Sequence, residues 1–191
     1  GATTGGDIQG GITSKHTTSN GDSKFLIMAI GTAEGAKTAI DIHAFDTEAD
    51  SLAYGSVATI AMGRTASVSA TNRVVAGGGY ISFGPTVIGT RLSFYPVASN
   101  ADGDSSDEAD LVVEAAGQGS TSNGTRGEFY GGFTSSADGY AQNDIQKITI
   151  ASLANSSDVG DLTTPEFASG SQYSTGDIYG MAGCSAQTAI N

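Results

Sequence analysis

The chain has 191 residues and a formal net charge of −12 at pH 7, with only 8 Lys and Arg residues in total. Nucleic acid binding requires clustered cations that neutralise phosphates, so this charge argues against a nucleic acid partner. No apolar stretch approaches the ~18 residues of a membrane-spanning helix, so we expect no membrane insertion. The length suits a single domain.

Short apolar runs that end near glycine recur along the chain, and each predicts a strand. They cover residues 25–30, 74–76, 129–130 and 178–179. A brief apolar run bounded by glycine is typical of a strand that is buried on both faces, because a helix would need more length and a 3.6-residue period. We therefore expect these runs to be central strands.

A second predicted strand follows each run after a polar turn, at residues 39–45, 91–97 and 144–150. The alternation of apolar and polar residues along 39–45 is the period of a half-buried strand. Turns rich in Asx, Ser or Gly come next, and a third strand is expected to begin near an aliphatic residue after each turn. No helix cap is followed by a periodic apolar stripe, so the chain is predicted to be all-β.

Two independent sets of landmarks show a repeat of about fifty residues. The glycines that end the apolar runs are spaced by 47, 54 and 51 residues, and the aliphatic residues that open the third strands are spaced by 48, 51 and 51. The glycines are Gly31, Gly78, Gly132 and Gly183, and the aliphatic residues are Ile12, Ile60, Leu111 and Leu162. One repeat domain, 1–191, is therefore predicted, with a partial repeat 1–23, repeats 24–71, 72–122 and 123–174, and a partial repeat 175–191.

Several short strands in each repeat of this length are typical of the blades of a β-propeller, in particular of the Kelch class. The glycine pairs Gly77–Gly78 and Gly131–Gly132 would allow tight turns where strands crowd the axis. We therefore predict an all-β, propeller-like fold with about four blade-type repeats, the fourth split between the N- and C-termini. A β-solenoid and a β-sandwich are the alternatives, although solenoid coils are usually shorter and a sandwich does not predict two matching sets of landmarks.

The third repeat carries a family resemblance. Residues 143–162, together with Ala-Gly-Cys-Ser at 182–185, resemble the Kelch-like propeller repeats of structural proteins of tailed phages, particularly marine ones. Thr-Arg-Gly at 125–127, Tyr-Gly-Gly at 130–132 and Gly-Asp-Leu-Thr at 160–163 add to the likeness, whereas earlier repeats keep only its core. The resemblance implies a virion component, such as a fibre or a surface-decorating protein, with no catalytic site.

An acidic loop is the candidate metal site. Residues 100–108 contain Asp102, Asp104, Asp107 and Glu108 around a glycine. Oxygen ligands at alternate positions are what calcium prefers, although the spacing of an EF-hand is not met. A solubilising turn is the alternative interpretation, and we expect no other cofactor.

Two tyrosines are the candidate binding residues. Tyr140 and Tyr173 lie among polar residues, where an exposed tyrosine would serve recognition. The histidines, His16 and His43, have no metal-type spacing, and no nucleophile motif is present. We therefore do not expect an enzyme.

The ends of the chain suggest how it assembles. From Gly183 through both termini to Gly31 there are 39 residues, against 51 between Gly132 and Gly183. The split repeat would lack about one strand, and an unpaired strand edge is a template for pairing, so we expect a neighbouring copy to complete it.

The sequence favours a non-enzymatic structural protein on the virion surface that self-assembles through its repeat edges, with copies of itself or other virion proteins as partners. The alternative is a carbohydrate- or receptor-binding propeller module of a tail fibre or a bacterial surface adhesin. That module would be extracellular or at the cell surface and would recognise a host-surface glycan.

Overall fold

The computed structural model describes residues 14–19, 24–30, 39–44, 50, 52–56, 65–83, 86–96, 106–134, 141–168, 171–173 and 183–184. The regular elements among these residues are all β-strands, sixteen in number. The all-β prediction is therefore confirmed for this part of the chain. Within the same ranges, no helix has the length and apolar character needed to cross a membrane.

The first sheet is an antiparallel meander of four strands in sequence order. Its strands are β1 (Ser14–Ser19), β2 (Lys24–Ile30), β3 (Ala39–Ala44) and β4 (Leu52–Ser56). The strands predicted at 25–30 and 39–45 are β2 and β3. β1 precedes them and begins two residues after Ile12, one of the landmarks near which a third strand was predicted.

The second sheet is also a four-stranded antiparallel meander, and it contains an inserted hairpin. Its strands are β5 (Ala66–Ala70), β6 (Arg73–Gly77), β9 (Arg91–Pro96) and β10 (Ser106–Asp110), and the hairpin between β6 and β9 is β7 (Tyr80–Phe83) with β8 (Thr86–Ile88). β6 and β9 confirm the strands predicted at 74–76 and 91–97. β5 was not predicted.

The third sheet repeats the meander and extends it at both edges. The meander consists of β11 (Gly119–Ser122), β12 (Arg126–Tyr130), β13 (Gln142–Thr149) and β14 (Ser157–Ala168). β15 (Ser171–Tyr173) runs parallel to β11, and β16 (Gly183–Cys184) pairs with the end of β14. β12 and β13 confirm the strands predicted at 129–130 and 144–150, whereas 178–179 lies outside the described residues.

Pairs of glycines have the same backbone conformation in the second and third sheets. The φ angles are 66° at Gly78 and 93° at Gly79, and 63° at Gly131 and 91° at Gly132. The first glycine of each pair donates a backbone hydrogen bond to the next strand of its meander, Gly78 to Arg91 O (3.0 Å) and Gly131 to Asp144 O (3.1 Å). The two repeats therefore match at this corner, and the predicted pair Gly77–Gly78 is displaced by one position, because the positive-φ glycines are Gly78 and Gly79.

The prediction that a strand begins near each aliphatic landmark is wrong at the two landmarks that are described. β10 ends at Asp110, just before Leu111, and Leu162 lies in the middle of β14. Leu111 is buried in the hydrophobic core, so its aliphatic side chain serves packing after the strand has ended. Ile12 and Ile60 lie outside the described residues.

The described core lies between the second and third sheets. It comprises Ala66, Val68, Ala70, Val75, Leu92, Phe94, Ala109 and Leu111 from the second sheet and the loop after it, with Phe129, Ile148 and Ile150 from the third sheet and the turn after β13. Gly127 lets the sheets approach, because a Cβ atom there would overlap the side chain of Val68. The glycine is therefore required by the close contact between β5 and β12.

Candidate functional site

The first strands of the three meanders lie beside one another and β15 in a circuit. β5 contacts β1, β11 and β15, while β15 pairs with β11 and also contacts β1. These strands begin at Ser14, Ala66, Gly119 and Ser171, at almost equal intervals along the chain. We call these four strands the inner strands, because every residue of β5 and β11 is buried. Their contacts form a closed circuit.

Serine hydroxyls join two of the inner strands. Ser120 Oγ donates a hydrogen bond to the carbonyl oxygen of Ser67 (2.7 Å), and the backbone N–H of Ser69 donates to Ser122 Oγ (3.2 Å). In the described sheet β5 is an edge strand that pairs only with β6, so these hydroxyls satisfy backbone groups on its other edge. Small hydroxyl side chains thus replace a backbone ladder where the strands are most crowded.

The composition of the inner strands is that of a loop, and only β1, which begins two residues after Ile12, was anticipated, from the landmarks alone. β11 reads Gly-Ser-Thr-Ser and β1 is rich in Ser and Thr, so neither has the apolar run or clean alternation that predicts a strand. In β5, Ala and Val alternate with Ser, and this was the one local signal. The nearly even spacing of the Ser-rich segments along the chain was the other.

A buried glutamine lies between the two glycine corners. Gln118 is buried, and neither Oε1 nor Nε2 has a hydrogen-bond partner among the described residues. A Cβ atom on Gly78 would stand 2.7 Å from its Oε1, and one on Gly132 would stand 2.8 Å from its Cγ. Both glycine corners therefore pack closely against the Gln118 side chain. Burial of its amide without a hydrogen-bond partner costs desolvation free energy.

A second buried glutamine fastens the chain after β10 to the third sheet. Gln146 Oε1 accepts a hydrogen bond from Val113 N (3.0 Å), and its Nε2 donates to Val113 O (3.1 Å). Ser156 Oγ donates to Gln146 Oε1 (3.1 Å) and accepts from Val112 N (2.9 Å). The backbone of this segment is thus held by side chains from β13 and the turn after it.

The same segment is tied at Asp110. Asp110 N donates to Asn155 Oδ1 (3.0 Å), and Ser156 N donates to Asp110 O (2.9 Å). We call residues 110–113 and 153–159 the β10–β14 junction. It connects the end of the second sheet to the beginning of β14 through backbone-directed hydrogen bonds.

The face of the third sheet that points away from the described core carries a charged pair. Glu128 stands opposite Lys147 there, at the positions equivalent to the apolar pair Val75 and Phe94 of the second sheet. Partial burial raises the pKa of Glu128, and the charges of Lys147 and Arg126 offset only part of this effect. The two equivalent faces therefore differ in what they can pack against.

The structure places only part of the predicted acidic loop. Asp107 lies in β10, opposite Ser93 of β9, and Glu108 is the extra residue of the bulge that follows Asp107. Asp102 and Asp104 lie outside the described residues. The described ranges contain no group of three or more His, Cys, Asp or Glu side chains that could hold a metal ion, and the calcium site stays a prediction.

The two candidate tyrosines are placed differently. Tyr173 is the last residue of β15, opposite Ser122 of β11, so its backbone belongs to the circuit of inner strands. Tyr140 lies outside the described residues. Their proposed role in recognition also stays a prediction.

No family model and no curated protein matches the chain. The described part of the chain is a set of equivalent meanders joined at the inner strands and at the β10–β14 junction. The first joint uses buried hydroxyls, and the second combines buried Gln146 and Ser156 with exposed Asp110 and Asn155. These joints can hold one repeat in a fixed position against its neighbour.

Proposed function

We propose that this chain is a non-enzymatic structural protein of a phage virion, a fibre or surface-decorating component that assembles through the exposed edges of its repeats. The observation that carries the proposal is the closed circuit of inner strands, which recur at nearly equal intervals along the chain. A protein built to be one rigid module in an assembly needs such inter-repeat fixation. The resemblance of the third repeat to Kelch-like phage proteins supplies the virion context.

The circuit supports a propeller-like arrangement of four blade-type repeats. In a propeller the first strand of each blade lines the axis, and the remaining strands follow outward as an antiparallel meander. Three meanders begin with β1, β5 and β11, and β15 adds a fourth inner strand parallel to β11. The equivalent glycine corners at Gly78 and Gly131 add a second match between repeats.

The outer strand of the third sheet offers an exposed edge. β14 has 12 residues against 5 in β10 and in β4, and residues 157–161 are exposed. In the described part of the chain, β16 covers this edge only at Phe167 and Ala168. Because Asp158 and Pro165 disfavour the pairing of two β14 edges with each other, a neighbour would approach this edge with a different strand.

The test is to image native particles that carry the protein and to count its copies. A structural component is expected in many equivalent copies, each in contact with neighbours through repeat edges. A few copies at a distal tip, together with specific binding on a glycan array, would replace the proposal with the receptor-binding alternative. Measurable turnover that is lost on substitution of a single polar residue would contradict a non-enzymatic role.

A further inference from the structure

Arg73 joins the second sheet to the third. Its Nη1 donates hydrogen bonds to the carbonyl oxygens of Ile150 (3.1 Å) and Ala151 (3.0 Å), in the turn that follows β13. The same guanidinium lies 5.7 Å from the centre of the Phe94 ring, where a cation is attracted to the aromatic face. One arginine side chain of the second repeat therefore holds a backbone turn of the third repeat.

Arg126 occupies the equivalent position in the third sheet. Each arginine begins the second strand of its meander and lies the same number of residues before the first glycine of the corner. Arg73 stands opposite Pro96 in β9. Arg126 stands opposite Thr149 in β13, at the equivalent point of the third strand. The two arginines therefore match in sequence spacing and in strand register.

Arg126 differs from Arg73 because it has no acceptor in the described part of the chain. Its side chain is exposed, and it makes no hydrogen bond and no ion pair with any described residue. Lys147 takes the position of Phe94, so the aromatic support of the guanidinium is absent. Glu128 lies on the same face and interacts with Arg126 through its charge, but the two side chains are not in contact. The third sheet therefore presents an arginine whose equivalent in the second sheet is fully used.

The end of the third sheet around Arg126 is open to solvent. Thr125, the preceding residue, and Thr149, the residue opposite Arg126, are both exposed. Elsewhere on the same face Thr121 and Tyr130 are buried, so this face is covered except at the end that carries Arg126. We call Thr125, Arg126 and Thr149 the Arg126 end of the sheet.

The backbone at the Arg126 end is already ordered. Asn123 Oδ1 accepts hydrogen bonds from the backbone N–H groups of Thr125 (3.1 Å) and Arg126 (2.8 Å). Asn123 N donates to Arg126 O (3.1 Å), and Ile150 N donates to Thr125 O (2.9 Å). Because this turn is fixed before any partner arrives, binding would cost little beyond the side-chain entropy of the arginine.

We propose that Arg126 binds backbone carbonyl oxygens in a turn of a second copy of this chain, as Arg73 binds the turn after β13 within one copy. At the equivalent position, the acceptor of the arginine is a turn between the third and fourth strands of a meander, and each copy has such a turn in each of its three meanders. A second copy would therefore continue the contact that already joins the second and third sheets. A guanidinium recognises carbonyl oxygens through the direction of its N–H groups, so the contact does not require a partner of particular charge. The inference rests on the self-assembly proposed above and names one of its contacts.

Sedimentation of the full chain over a range of protein concentrations tests this contact. We expect the native chain to associate and Arg126→Ala to weaken the association about tenfold, since arginines are frequent among the residues that dominate interfaces. Because the Arg126 side chain is exposed, the substitution should leave Tm unchanged. The matched control is Arg73→Ala, which removes the same charge. It should lower Tm, because its bonds lie within one copy, and leave the association unchanged.

The possible outcomes separate this contact from self-assembly in general. Equal association of the native chain and Arg126→Ala would overturn the contact and leave self-assembly standing. A chain that stays monomeric at every concentration would overturn both. Equal weakening by Arg73→Ala would trace the effect to the lost charge, and a fall in Tm with Arg126→Ala would show that its side chain acts within one copy. Either of these results would also overturn the proposal.

Discussion

Replacing Ser120 by Ala would remove the hydroxyl that links β11 to β5. Its Oγ donates to the carbonyl oxygen of Ser67 at 2.7 Å, and both residues are buried. The carbonyl would lose this donor without gaining access to water, which costs about 1–3 kcal/mol. In a domain of this size about 1 kcal/mol corresponds to ~2–4 °C in Tm, so we expect Ser120→Ala to lower Tm by ~2–12 °C.

The matched control is Ser152→Ala. Its hydroxyl also donates to a carbonyl oxygen, that of Thr149 at 3.0 Å, but this bond lies in an exposed turn where water can replace it. The expected loss is within ~0.5 kcal/mol. Thermal melts and urea titrations followed by circular dichroism measure both variants. If the two substitutions cost the same, the hydroxyl does not join the inner strands and the reasoning is refuted.

Three further predictions concern the same joints. Gly127→Ala should lower the free energy of unfolding by about 1–3 kcal/mol, because its Cβ would overlap Val68. Adding Val68→Ala to this variant should restore part of the lost free energy, as measured by chemical denaturation. Gln118→Met should raise the urea midpoint, since it removes two buried polar atoms while nearly keeping the volume; a lower midpoint would mean that the amide is bonded. The pKa of Glu128 is raised in the folded state, so the folded protein binds more protons than the unfolded chain and its stability falls as pH rises through that pKa. Glu128→Gln should therefore have a higher Tm than the native chain at pH 7, and the difference in Tm should vanish in acid. A difference that does not change with pH would contradict this.

The sequence predicted the strands that are rich in apolar residues or that alternate. β2, β6 and β9 are apolar enough to be recognised, and β13 alternates well enough. The composition of the inner strands does not identify them, because at a crowded contact small size and hydroxyl hydrogen bonding replace hydrophobicity as the selected property. Residues such as Ser120 and Ser122 carry no local sign of burial.

The junction residues show a second limit of sequence reasoning. Gln146 lies in a predicted strand, but its bonds to Val113 cross 33 residues of sequence, and no local pattern predicts such a partner. The position of the glycine corner could not be predicted from local sequence either, since Gly77, Gly78 and Gly79 are consecutive and only the φ angles tell which two make the corner. The Gln146–Val113 bonds and the position of the glycine corner both depend on how distant parts of the chain align.

The closure of the inner strands into a circuit can be measured directly. The most direct measurement is a set of amide–amide NOEs from β15 in isotopically labelled full-length protein. We expect NOEs from β15 to β11, in the parallel register that places Ser171 opposite Ser120, and further NOEs from β15 to β1. NOEs to β11 alone, with the amides of β1 and β15 exchanging freely with solvent, would contradict it.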